Sequence, residues 1–283
     1  MKLQFPNGKI IDLSMTKVMG SIVITENDER SLEDFVTQAK SFVRMGAEFL
    51  EVGAMAYPHG IDETKVNSVF GAVINEVDVP VAIHSDDPEI IKQAINTGAT
   101  MLITTDGLDD PEVQALVKEK EIYVCIMLSR NESHDDEDDA ISRLSEFFFE
   151  KIDSYMNAGL ARSRIILDPT IALASLPVRL KVFGGLDNFK SFALPLCISL
   201  PRNLPQSDEF VEENRTLTLT AALFAANSSL VQIIRSTNVS EVAMAVGLWQ
   251  LMSLKNKPYG ISKAIIRRFR GLRDKVKNIT SRH

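Results

Sequence analysis

Cysteine and tryptophan are scarce in this 283-residue chain, which has two of the first and one of the second. No apolar run approaches the ~18 residues that a membrane span needs. Cys125 and Cys197 each lie inside an apolar strand-like run. A disulfide framework is therefore not expected, and both thiols read as core residues in a reducing compartment. The opening MKLQFPNGKIIDLS lacks a hydrophobic stretch with a small-residue cleavage site, so it does not read as a secretory signal. A soluble cytoplasmic protein is the expectation. No GxGxxG and no P-loop glycine-lysine pattern follows any strand-like run, which argues against a nucleotide-binding doubly wound sheet.

What is present is a core-forming composition, 45% apolar. Runs rich in Val, Ile and Leu recur at 18–25, 48–54, 80–85, 100–105, 122–128, 164–168, 194–200 and 230–235. Helix-period segments lie between them. Pro88 and Pro111 suit first helical turns, while Gly46, Gly98 and Gly159 suit helix C-caps. Eight strands alternating with helices in a chain of this length predict an α/β fold, the (β/α)8 TIM barrel. The open doubly wound sheet is the alternative.

Five segments carry a family resemblance: MKLQFPNGKIIDLSMTKVMGSI (1–22), GAEFLEVGA (46–54), INTGATMLITTDG (95–107), AGLARSRIILDP (158–169) and ALFAANSSLVQIIR (222–235). In order and spacing they resemble dihydropteroate synthase, the folate-pathway enzyme that joins a pterin to p-aminobenzoate. The resemblance covers about residues 1–250. It implies an N-terminal β-hairpin before the barrel, a pterin or phosphate-bearing small molecule at the barrel mouth, and a homodimer.

The positions that carry the family's chemistry depart from its pattern. The first strand of the family delivers a metal-binding Asn, but this chain has Val23, which offers Mg2+ no hard oxygen donor. The Mg2+ site is expected to be lost, and no cofactor is expected. Met55-Ala56-Tyr57-Pro58-His59 stands where the family has a Glu-Ser-Thr-Arg loop for p-aminobenzoate. The pterin-holding Asp-Thr pair is replaced by His84-Ser85, and the next strand's Asn-Asp by Ile103-Thr104. Later, Ser-Arg-Lys has become Pro201-Arg202-Asn203, and Arg-Val-His-Asp has become Arg235-Ser236-Thr237-Asn238. Thr170 and Ala172 occupy two family glycine positions, where a Cβ narrows a ligand's approach.

Asp168, Arg202 and Arg235 remain from the family set. Asp168 is expected either to accept from a pterin-like N–H edge or to cap the turn after its strand. Arg202 and Arg235 are expected to bind an anion such as phosphate, with surface ion pairs as the plain alternative. Ser85 and Asn203 complete the candidate ligand-binding residues. His84 and Asp168 are the candidate catalytic residues, because an imidazole can serve as acid, base or ligand. His84, Glu51 and Asp86 could together hold a metal in principle, but no ligand spacing supports it. Phe147-Phe148-Phe149 reads as a core-facing or dimer-facing patch, and the acidic run 132–139 as a solvated helix cap.

Loss of a metal-held diphosphate and an oriented pterin removes orders of magnitude in rate. The expectation is a dihydropteroate synthase-like protein without the standard condensation, retaining at most a ligand- or anion-binding or regulatory role. The alternatives are altered chemistry on the same barrel, of the pterin-dependent transferase type, or a still-active synthase.

The net charge of −7 conceals an asymmetry. Residues 255–283 hold ten Lys or Arg and one Asp, about +9, which leaves about −16 on the rest. Ile261, Ile265, Phe269, Leu272, Val276 and Ile279 form one apolar stripe at helical spacing. The barrel is therefore assigned to 1–254 and a basic amphipathic helix to 255–283. This extension is expected to dock on the acidic body or a twin subunit, or to lie on an anionic membrane surface. Nucleic acid is not an expected partner.

Overall fold

Eight parallel strands close on themselves in a computed structural model of the chain, which describes residues 1–25, 28–54, 63–106, 108–128, 139–170, 176–200 and 210–255. Ahead of them, β1 (Lys2–Gln4) and β2 (Ile10–Asp12) form an antiparallel hairpin. The barrel strands are β3 (Lys17–Ile24), β4 (Phe49–Ala54), β5 (Val81–His84), β6 (Met101–Thr104), β7 (Tyr123–Met127), β8 (Ile165–Asp168), β9 (Leu196–Ser199) and β10 (Val231–Ser236). They pair in chain order, and β10 returns to β3 with Arg235 opposite Met19. That last pairing makes a closed barrel and excludes the open sheet. Each strand coincides with one of the eight predicted runs.

The helices are α1 (Leu32–Met45), α2 (Glu63–Ile74), α3 (Pro88–Thr97), α4 (Pro111–Glu119), α5 (Ala140–Asn157), α6 (Leu176–Gly184), α7 (Phe210–Asn227) and α8 (Val239–Lys255). Local chemistry sets several of their ends. Ser31 and Asp34 form a reciprocal capping box on α1. Asp87 and Asp110 each accept two backbone N–H groups at the starts of α3 and α4, with proline next in line. Gly46 and Gly98 end α1 and α3 at φ of 111° and 118°, a region open to glycine. Short 3-10 turns at 162–164 and 186–192, which the periodicity does not predict, lead into β8 and β9.

Two apolar layers result. One lies between strands and helices and includes Phe35, Phe70, Phe148 and Tyr155. The other fills the barrel and continues into the hairpin, joining Leu3, Phe5, Ile11 and Leu13 to Phe49, Met101, Tyr123 and Ile166. Cys125 and Cys197 are buried in this inner layer. Within the aromatic triplet Phe148 is core, Phe147 is half-buried and Phe149 is 69% exposed, so the core-facing role holds for Phe148 and in part for Phe147. No helix among the described residues is long and apolar enough to cross a membrane. The basic extension beyond Lys255 and the acidic run up to Asp138 lie outside the described residues.

Candidate ligand-binding site at the barrel mouth

Alternation along a strand sends every second side chain into the barrel. Those inward positions change character from one end to the other. Phe49 is followed two residues on by Glu51, Ala82 by His84, Ile166 by Asp168, Cys197 by Ser199 and Ile233 by Arg235. The C-terminal strand ends thus bring together a polar cluster that the sequence scatters over 185 residues, from Glu51 to Arg235. In barrels of this type that end carries ligands.

Arg235 is the centre of the cluster and is only 2% exposed. Its Nε donates to Ser199 Oγ at 2.6 Å. Nη1 donates to Glu51 Oε1 at 2.9 Å, and Nη2 to Asp168 Oδ2 at 3.1 Å and Met127 Sδ at 3.1 Å. Glu51 also accepts from Ser21 Oγ and stands 2.6 Å from His84 Nδ1. Asp168 Oδ1 accepts from the Thr170 backbone N–H at 2.9 Å, so it both caps the turn and pairs with the arginine. Thr170 Oγ1 in turn accepts from Ser199 N at 2.8 Å.

Burial pulls the Arg235 pKa down, but the Glu51 and Asp168 carboxylates push it above the ordinary arginine value, so the guanidinium stays charged. Burial pushes the Asp168 carboxyl up, against the pull of Arg235 and Thr170. An ion pair this deep is held by its geometry, because desolvation opposes it by several kcal/mol per ion.

His84 is placed by two neighbours. Glu51 holds Nδ1, and Gly53 lies across the β4–β5 ladder from it. A Cβ on Gly53 would fall 2.7 Å from His84 Cβ, so glycine is what lets the two strands approach here. The nearest competing donor to Nδ1, Arg235 Nη1, is 3.4 Å away, against 2.6 Å for Glu51. The shorter contact assigns the Nδ1 hydrogen to the carboxylate.

Other predicted site residues are placed differently. Ser85 Oγ accepts from Asp87 N at 3.0 Å and so serves the turn into α3. Asp86 accepts from the Thr105 hydroxyl at 2.6 Å and from the Thr105 and Asp106 backbone, as well as from Thr104. Burial raises its pKa, but these hydrogen bonds hold the carboxyl below its usual range. The His84–Glu51–Asp86 metal trio therefore does not assemble: the first two meet, and Asp86 faces the end of β6. Among the described residues, the three potential metal ligands that do converge are Cys125, Asp168 and Cys197, with ligand atoms within 4.8 Å of one another. Both Asp168 oxygens in that group are already engaged. Ile103 belongs to the apolar barrel layer. Arg202, Asn203, Ala172 and the segment 55–59 lie outside the described residues.

Ser21, Ser199 and Met127 are not candidates by motif, and Glu51 is one only as a possible metal ligand with His84 and Asp86. Their signal was the strand alternation itself, since a Glu two residues after an inward Phe must also point inward.

Residues 16–235 match the family described as pterin binding enzyme. The dihydropteroate synthase of Escherichia coli is 26% identical over an alignment that takes in 92% of this chain and 100% of that protein. The probable bifunctional folylpolyglutamate synthase/dihydropteroate synthase of Haloferax volcanii is 26% identical over 82% of this chain and 30% of its own length. Among solved structures, the Yersinia pestis dihydropteroate synthase with a sulfonamide drug complex superposes with a TM-score of 0.78 at 20% identity, covering 90% of this chain and 100% of that one. The Xanthomonas albilineans dihydropteroate synthase in complex with 7,8-dihydropteroate gives 0.76 at 20% identity, over 89% and 99%. Those two likenesses are of fold.

Proposed function

The chain belongs to the pterin-binding enzyme family, and from that premise we propose that its barrel mouth holds a pterin-like small molecule without carrying out the condensation of a pterin with p-aminobenzoate. The observation that carries this reading is the closed polar cluster. Asp168 is 0% exposed and each of its oxygens already accepts a hydrogen bond within the chain, so a heterocycle reaches it only if side chains around it move.

The donor set at β3 does not fit the Mg2+ that the family resemblance implies. Val23 offers a hydrocarbon side chain, and its carbonyl accepts from Arg30 Nη2 at 2.5 Å. Relatives whose names state dihydropteroate synthase activity supply the ligand class, a pterin. A homodimer is part of the same reading, supported by the exposed Phe224, Met244, Leu248 and Met252 on α7 and α8. So is docking of the basic extension on the acidic body or on an anionic membrane.

Titration calorimetry with 7,8-dihydropterin and its 6-hydroxymethyl diphosphate, with and without Mg2+, tests the proposal together with complementation of a synthase-deficient strain. Dihydropterin binding without complementation is the expected result; complementation refutes the loss of condensation.

One observation favours a second reading, different chemistry on the same barrel. Glu51 fixes the His84 ring through Nδ1, the arrangement by which carboxylates orient imidazole bases. Turnover of a pterin-bearing substrate that disappears in His84→Gln would select it.

A further inference from the structure

On the outside of the barrel, α5 and the 3-10 turn at 186–192 enclose an open groove of about 590 Å3. Phe149, Ile152, Met156 and Phe192 give it an apolar lining. Phe149 is 69% and Met156 43% exposed, so a ring and a thioether stand in water side by side. Glu146, Glu150 and Asp153 follow at spacings of four and three, which places them in one exposed row along the same helix. Neither Glu146 nor Glu150 enters an ion pair among the described residues. We propose that this groove is the docking site of the chain's own basic extension, with residues 261–279 lying antiparallel to α5. The inference rests on the reading that the extension docks on the acidic body, and it names the place.

Spacing, charge and reach agree on that occupant. In the apolar stripe of the extension Phe269, Leu272 and Val276 recur at three and four, and Arg270, Arg273 and Lys277 repeat the interval one residue over. That is the reverse of the Glu146, Glu150, Asp153 row, so an antiparallel helix sets three cations beside three acids while its stripe covers Phe149 and Met156. All eight barrel strands are parallel, so α5 and α8 both run away from the mouth, and a chain leaving Lys255 meets α5 at its C-terminal end. Residues 256–260 extend about 17 Å, and 261–279 as a helix add about 28 Å. Helix α5 stands three helices along from α8, about 30 Å at up to 10 Å per neighbour, which is within that reach. Met244, Leu248 and Met252 are also exposed on α8, but that helix holds one acid, Glu241, and offers no matching row. Arg162 lines the groove too, with its guanidinium engaged by the Phe192 carbonyl at 2.6 Å.

Limited trypsin digestion of the full chain is the test, because residues 255–283 hold ten Lys or Arg, and cuts within them are scored by mass. Slow cleavage of the extension is expected in wild type. The rate should rise about tenfold in Glu146→Lys/Glu150→Lys/Asp153→Lys and in Phe149→Ser, since either change releases the docked segment to the protease. The charge-matched control Glu33→Lys/Glu76→Lys/Glu119→Lys, at exposed acids on other faces, should be cut at the wild-type rate. Should the triple α5 variant not fold, Phe149→Ser alone, at an exposed position, decides the matter. Wild-type protection that neither α5 change reduces overturns the groove and leaves docking elsewhere on the acidic body standing. Rapid cleavage in wild type, or protection only with phosphatidylserine vesicles, overturns the docking reading and the groove together. Protection that disappears on dilution makes the occupant a second copy's extension and overturns docking within one chain.

Discussion

The two ends of the barrel are built from the same strands and obey opposite rules. At the N-terminal end the hairpin folds under the barrel, and Phe5 packs edge-to-face on Phe49 and Tyr123, with ring centroids 6.2 and 5.3 Å apart. Tyr123 Oη accepts from Gln4 N at 2.8 Å, and Arg164 lies over the Tyr123 ring while donating to Gln4 O. Charge there stays at the surface. At the mouth, two residues further along each strand, charge is buried around Arg235. The closed end follows from hydrophobic burial, which favours any well-fitted apolar plug. The mouth keeps groups whose desolvation works against folding, a cost that the apolar plug at the other end does not carry.

The sharpest way to break the comparison is Arg235→Met. It removes the cation shared by two buried carboxylates, and a loss of about 4 kcal/mol in unfolding free energy is expected from urea denaturation. Replacing the cluster together, Glu51→Leu, Asp168→Leu and Arg235→Met, is expected to restore most of that loss, because no charge then remains to be desolvated. If the triple variant is as unstable as the single one, the mouth is a stabilising element like the other end. Phe5→Ala, at the closed end, comes next. It removes a fully buried ring and leaves a cavity, and about 3 kcal/mol is the expected loss. Unlike Arg235→Met, it should have no second-site rescue by removing charge.

The same contrast explains what the sequence made legible. Strand positions were readable because each barrel strand is an unbroken apolar run between helices with strong punctuation, as at Asp87-Pro88 and Asp110-Pro111. Asp168 and Arg235 are also readable, since each closes an apolar run on a charge. Their partnership is not. Residues 67 apart in sequence meet across the barrel only because closure brings β8 and β10 to the same interior, and no local pattern encodes that distance. Glu51 reads from the sequence only as a possible metal ligand with His84 and Asp86, and its pairing with Arg235 appears only when the alternation from Phe49 is followed into the closed barrel. Ser85 was assigned to ligand from its place beside His84, yet a hydroxyl two residues before a helix N-cap bonds the turn first.

The smallest effect expected separates the mouth's interior from its rim. Asp28, in the connection after β3, accepts from Arg30 Nε at 2.8 Å and forms an ion pair with the same guanidinium. That guanidinium also stacks on Phe35 at 4.1 Å and donates to Gln38, while Lys65 reaches the Asp28 carbonyl. The Arg30 side chain, opposed by burial, holds Asp28 at a pKa of about 2, below the ordinary 3.8. A depressed carboxyl contributes stability that is present above the ordinary value and is lost as pH falls through the range from 3.8 to about 2. Arg30 is 37% exposed, so solvent screening trims the contribution to about 1 kcal/mol. Asp28→Asn should therefore lower stability by that amount at pH 7, and the difference from wild type should vanish near pH 2. Because the rim pair is screened and the Arg235 cluster is not, raising salt to about 1 M should shrink the Asp28→Asn effect and leave that of Arg235→Met unchanged. Equal salt sensitivity of the two variants would mean that the cluster around Arg235 is open to water, and the distinction between interior and rim would fail.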